Sequence, residues 1–99
     1  MLFIIHAIDK PGHLQVRMAN RPAHLEWTKG FADRIRVAGP MLAGDGETLA
    51  GSCFIMEGES VAELEMLFAS DPYVKADLFE TISIRPFRAL IGKWAETES

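Results

Sequence analysis

Leu2-Phe3-Ile4-Ile5-His6-Ala7-Ile8-Asp9 reads as a β-strand that is apolar on both faces. Side chains alternate along a strand, so Leu2, Ile4 and Ile8 share one side while Phe3, Ile5 and Ala7 share the other. A strand of this kind needs cover above and below, and what the rest of the chain offers as cover decides the architecture.

Outward from it, Asp9-Lys-Pro-Gly12 supplies strong turn residues that end the strand. His13 to Asn20 has helical composition but weak periodicity and reads as a short helical or irregular lead-in. From Arg21 the signals sharpen. Asn20 is a cap, Pro22 suits a first helical turn, and His24, Thr28, Phe31, Ile35 and Ala38 recur at helix spacing until Gly39-Pro40 stops the run. Met41-Leu-Ala43 is a short strand, Gly44-Asp-Gly46 a turn and Gly51 to Glu57 a second clear strand, which together make a hairpin. Ser60 with Glu63 forms a Ser-x-x-Glu helix start, followed by an apolar stripe of Val61, Leu64, Leu67 and Phe68. Asp71-Pro72 opens a further helical turn, and Leu78 to Arg85 alternates, with Glu80, Ile82 and Ile84 opposite Phe79, Thr81, Ser83 and Arg85. Glu96 to Ser99 reads as a frayed tail.

The order β-α-β-β-α-β predicts an α+β fold, a ferredoxin-like four-stranded antiparallel sheet with both helices on one face. Two helices cover only one side of the first strand, and an apolar sheet face left bare would be a large sticky patch. The expected cover is a second copy packed sheet against sheet as a dimeric α/β barrel, with assembly beyond the dimer left open.

At 99 residues the chain is long enough for one domain, expected to span residues 1–99. Net charge is −4 and the ten Lys and Arg residues form no dense stripe, so nucleic acid is not an expected partner. No stretch approaches the roughly 20 apolar residues needed to cross a bilayer, so no membrane role is expected either. The opening apolar run lacks a preceding basic segment and a following small-residue cleavage site, which reads as a strand rather than a secretory signal. With Cys53 as the single cysteine, the expected compartment is the reducing cytoplasm.

The chemistry narrows to a few side chains. His24, placed in the first turn of its expected helix, would feel the positive end of the helix dipole and stay neutral, able to accept a proton; its plainer reading is packing at the end of an apolar stripe. Asp71 before Pro72 looks like an ordinary helix cap, yet a capping carboxylate also has the means to hold a histidine N–H and set its tautomer. Arg17 and Arg21 flank the approach to His24 and suit a carboxylate or phenolate on a ligand, against the alternative of solvation or pairing with Glu26 or another surface acid. Ser52 is a hydrogen-bond donor for a pocket but lacks a Gly-x-Ser-x-Gly nucleophile signature. His6 reads as a buried, hydrogen-bonded residue, Cys53 as core, and Trp27 and Trp94 as packing residues. His6, His13 and His24 do not fall at metal-binding spacings, and no phosphate-binding glycine loop is present, so neither a required metal nor a cofactor is expected.

The ordered set of Asp9-Lys10 after the opening strand, Arg21-Pro-Ala-His24-Leu25, Ala38-Gly39-Pro40-Met41, Gly51-Ser52, Asp71-Pro-Tyr-Val74 and Arg85-Pro-Phe87 resembles the YCII-related family, the small bacterial YciI-like proteins, from Met1 to about Ile91. The resemblance implies a ferredoxin-like domain that dimerises into an α/β barrel and an active site built around a histidine and an aspartate, falling here on His24 and Asp71. It also implies chemistry on small aromatic or enolisable rings, since one relative dehydrochlorinates a chlorinated hydroxyhydroquinone. Two departures stand out: His6 replaces a tyrosine expected in strand one, and the hairpin around Asp45-Gly46 is shorter than in many relatives.

The expectation is therefore a small cofactor-independent enzyme of lyase, isomerase or dehydrochlorinase type. In it His24 moves a proton on a compact anionic or phenolic substrate, Asp71 orients His24, and Ser52 with Arg17 or Arg21 positions the ligand. The competing expectation is a non-catalytic dimer that binds a small molecule or a partner protein. The first requires His24 and Asp71 within hydrogen-bond reach beside a cavity, and the second a closed or featureless region there.

Overall fold

A computed structural model describes residues 1–95, so the tail at 96–99 lies outside the described residues. The main elements are strands β1 (Leu2–Asp9), β2 (Ile35–Leu42), β3 (Leu49–Glu57) and β4 (Phe79–Phe87) and helices α1 (Leu14–Thr28), α2 (Val61–Phe68) and α3 (Pro72–Lys75). The strands form one sheet in the order β2-β3-β1-β4 with every neighbour antiparallel, the ferredoxin-like α+β arrangement.

The register carries the alternation of β1 across the sheet. Phe3, Ile5 and Ala7 stand opposite Met56, Phe54 and Ser52 on one side and Pro86, Ile84 and Ile82 on the other, forming the face under the helices. Phe3, Ile5, Phe54 and Met56 join Phe31, Leu64 and Phe68 in the buried core, and Trp27, Ile35, Val61, Leu67 and Ile84 pack against it. Its aromatic rings meet edge to face, with Trp27 4.7 Å from Phe31 and Phe68 5.1 Å from Phe54. Trp27 is thus a packing residue, and its indole N–H donates to Ser70 Oγ at 2.9 Å.

Two sequence expectations change. Helix α1 starts at Leu14 rather than Arg21, immediately after the Pro11-Gly12 turn, so the stretch read as a lead-in is its first two turns. Pro22 lies inside the helix on an exposed stretch, as does Met18, whose carbonyl the proline leaves without an amide partner. The helix also ends early. A 3-10 segment at Lys29–Arg34 turns the chain at Phe31, and Ile35 onward, expected as helix, is strand β2 with Gly39-Pro40 inside it. β2 is an edge strand, the place in a sheet where proline is tolerated. The hairpin to β3 stands, with Asp45 accepting from the amides of Glu47 and Thr48 and from the Thr48 hydroxyl, bonds that hold its pKa down at about 2.

The second helix is capped as expected: Ser60 Oγ accepts from the Glu63 amide at 3.0 Å. Gly51 is required sterically, because a Cβ there would collide with the Ala7 carbonyl. None of α1, α2 and α3 packs on the other side of the sheet, where the segment after β4, with a 3-10 turn at Lys93–Ala95, borders a groove beside Leu2, Val37 and Ile55; Ile8 and Val37 are exposed there and Ile4 and Ile55 half-buried. His6 belongs to this side and is exposed in the single chain, not buried and hydrogen-bonded, because its neighbours across the strands are only Cys53 and Ser83. Cys53, expected in the core, lies on the same open side and is half-buried, which still raises its thiol pKa by desolvation. Trp94 is exposed rather than packed.

Candidate active site

Helix α1 turns an unusual face toward the sheet. Its only buried residues are Arg17 and His24, seven positions or about two turns apart, with Arg21 between them on the same stripe. A helix docked through charged and polar groups has to satisfy each of them, since an unpaired buried charge is costly.

Arg17 meets that requirement with a fork. Its Nε and one terminal nitrogen donate to the two carboxylate oxygens of Asp9 at 2.7 and 2.9 Å, and the same terminal nitrogen donates to Ser52 Oγ at 2.9 Å. Both side chains of the ion pair are buried, and the guanidinium carbon lies 4.6 Å from the centre of the Tyr73 ring. Burial works against the Arg17 charge, but the hydrogen bonds and charge of Asp9 outweigh it and its pKa is raised. Arg17 therefore finds its acid in strand β1, not in Glu26 or at the surface.

His24 meets the requirement through Asp71. The two are 47 residues apart in the chain, and His24 Nδ1 lies 2.8 Å from Asp71 Oδ1. That oxygen also accepts from the Tyr73 amide at 2.9 Å, so Asp71 caps α3 and holds the imidazole at once. The cap and the partner roles, alternatives in the sequence, coexist because a carboxylate oxygen has room for two donors. A carboxylate accepts only, so the shared proton sits on Nδ1, and in the neutral ring Nε2 is the nitrogen with the lone pair. His24 lies eleven residues into α1, far beyond the first turn in which the dipole acts, so the dipole argument does not apply.

Tyr73, to which the sequence assigned no role, is the packing centre of the site. Its ring stacks on His24 at 4.0 Å with the planes 15° apart. Burial pushes its phenol pKa up, while the charges of Arg17 and Arg21 pull it the other way. The signal available was its position two residues after a capping aspartate, where its own amide is the capped group.

A cavity of about 230 Å³ lies between α1 and the β2-β3 edge, bordered by His24, Tyr73, Arg17, Arg21, Ser52 and Phe54 among others. All of the expected site residues except Asp71 border it directly, and Asp71 touches it through His24. Gly39 and Pro40 of β2 close its far side, which the sequence had read as a helix stop. Ser52 already accepts from Arg17, so its own hydroxyl proton is available to the cavity. No group of three His, Cys, Asp or Glu residues suited to a metal gathers among the described residues.

Protein YciI of Escherichia coli is 38% identical over 95 residues, covering 89% of this chain and 97% of that protein, and a Haemophilus influenzae protein is 33% identical over the same length. Among solved structures, 5-chloro-2-hydroxyhydroquinone dehydrochlorinase from Burkholderia phenoliruptrix, in complex with 2,5-dihydroxybenzoquinone, superposes with a TM-score of 0.83 at 41% identity, over 88% of this chain and 93% of that one. An antibiotic biosynthesis monooxygenase shares the fold at a TM-score of 0.51 and 14% identity, covering 88% of this chain and 98% of that one. The model of the YCII-related domain matches residues 1–88, and the chain belongs to that family.

Proposed function

We propose that the protein is a small enzyme of the dehydrochlorinase type, in which His24 transfers protons on a compact hydroxylated ring. The observation that carries this reading is the 2.8 Å bond between His24 Nδ1 and Asp71, with the imidazole bordering a cavity. A base needs a free lone pair, a fixed orientation and room for a substrate, and the pair with its cavity offers all three. The volume suits one ring, since a cavity of about 150 Å³ is enough to admit benzene. The 41% identity to a dehydrochlorinase supports the reaction type.

On a chlorinated hydroxyhydroquinone the step balances without an outside oxidant or reductant. His24 takes a ring hydroxyl proton and returns it to the carbon that bears chlorine. Chloride then leaves with the bonding pair as a second hydroxyl proton is lost. The net change is loss of HCl: the ring oxygens are oxidised to the quinone level while C–Cl becomes C–H. Asp71 holds the imidazole and balances its charge when it is protonated, and Ser52 and Tyr73 donate to ring oxygens.

Chloride release from 5-chloro-2-hydroxyhydroquinone tests this. His24→Gln is expected to lose at least about 100-fold in kcat, the usual contribution of a positioned general base. Undiminished turnover in that variant would remove His24 from the chemistry.

The same reading includes a homodimer closed over the open sheet face. What supports it is the row of Ile4, Ile8, Val37 and Ile55, which α1, α2 and α3 leave uncovered.

A further inference from the structure

The two arginines of the cavity differ in what they already hold. Arg17 spends three donor contacts on Asp9 and Ser52 and is buried, so its charge is balanced before any ligand arrives. Arg21, one turn further along the same stripe, is exposed at the cavity and has no carboxylate partner among the described residues. Ser52 and Tyr73, each carrying a hydroxyl able to donate, border the same space. A site with one unpaired cation and several donors, and with no carboxylate among its described lining residues, is built for an oxygen-rich anion.

We propose that Arg21 is the specificity-determining residue of this cavity, selecting ring ligands that carry a negative charge on oxygen, while Arg17 is a positioning residue that fixes Ser52 and Tyr73 and binds no ligand. This deepens the functional reading above and rests on it for the identity of the cavity as a substrate site. The consequence for the reaction is that the substrate enters as its anion, with its charge against Arg21 at the mouth and a remaining hydroxyl toward His24.

Calorimetric titration separates this from the catalytic claim because it needs no turnover. The probes are 2,5-dihydroxybenzoquinone, ionised at neutral pH as a vinylogous acid, and hydroquinone, which is neutral there. In Arg21→Gln, affinity for the anion is expected to fall about tenfold, as for loss of a hydrogen bond to a charged group, with hydroquinone changing by less than about twofold. Arg21→Lys restores part of the anion affinity, and added salt weakens the anion more in the wild type than in Arg21→Gln. Equal weakening of both probes in Arg21→Gln, an unchanged anion affinity, or no anion binding by the wild type would each overturn the proposal. Loss of turnover in His24→Gln alongside an intact anion preference in Arg21→Gln would sink this inference and leave the proposed reaction standing.

Discussion

The two faces of the sheet grow from the same strand and have opposite characters. Under the helices, Phe3, Ile5 and Ala7 of β1 are buried, and the cavity there is small, about 230 Å³, and bordered by Arg17 and His24, each held by a carboxylate, and by Arg21. On the other side, a groove of about 620 Å³ runs along Leu2, Val37, Ile55, Phe87 and Trp94, much larger and mostly apolar. Its charged border is Arg36 and Arg88, of which Arg36 pairs with Glu57 at the surface. The larger hollow is therefore not the one that gathers the ionisable side chains. The smaller hollow has a histidine held by a carboxylate, and the larger one is lined mostly by apolar side chains.

The sharpest way to break this contrast is on the covered face. Arg17→Leu leaves the Asp9 carboxylate buried and unpaired, and is expected to destabilise the fold by about 3–5 kcal/mol in urea unfolding. Adding Asp9→Leu should recover most of the loss, because the cost comes from the stranded charge and not from the absence of an attraction. A loss as small as that from removing the solvated Arg36–Glu57 pair would mean that the two faces do not differ in this respect.

On the open face the expected effect is on assembly. The wild type should sediment at twice the monomer mass, and Ile4→Lys should raise the dissociation constant at least about tenfold while leaving monomer folding intact, since a lysine charge would have to be buried in the interface. A wild type that stays monomeric at high concentration would leave the apolar face without the proposed partner.

The smallest effect is spectroscopic. Tyr73 is the only tyrosine, so phenolate absorbance reports it alone. Its ionisation is expected above the ordinary phenol value near 10, because burial disfavours the phenolate. Since the folded pKa is raised, the associated stability is present below the unfolded value and is lost as pH rises from there through the folded value. Arg21→Gln should move the midpoint up further, because the Arg21 charge favours the phenolate. A midpoint at or below the ordinary value would place the ring in a wetter setting.

Much of this was legible from local signals. The alternation of β1 and β4, the Ser60 cap and the apolar stripe of α2 appear in the structure as the residues predict, because each depends on neighbours within a few positions. The first helix misled for the same reason. Pro22 is locally a helix-start residue and Gly39-Pro40 locally a stop, whereas sheet pairing with β3 pulls Ile35–Leu42 into a strand and solvent exposure makes Pro22 tolerable. That shift hid the Arg17, Arg21 and His24 stripe, which is evident at helix spacing once α1 begins at Leu14. Asp9, read only as a turn residue, and Tyr73, read only as part of a short motif, gained their roles from contacts across the fold.

The sequence alone determined the element order and the strand with two apolar faces, and it offered the residue types that the proposed site uses, because patterning and caps act over short distances. Only the tertiary structure decided that Asp71 meets His24, that Arg17 is consumed by Asp9 while Arg21 is not, and that a cavity opens beside them. Those outcomes depend on the packing of α1 and α3 over the sheet, which brings together groups 47 residues apart and leaves the space between them unfilled.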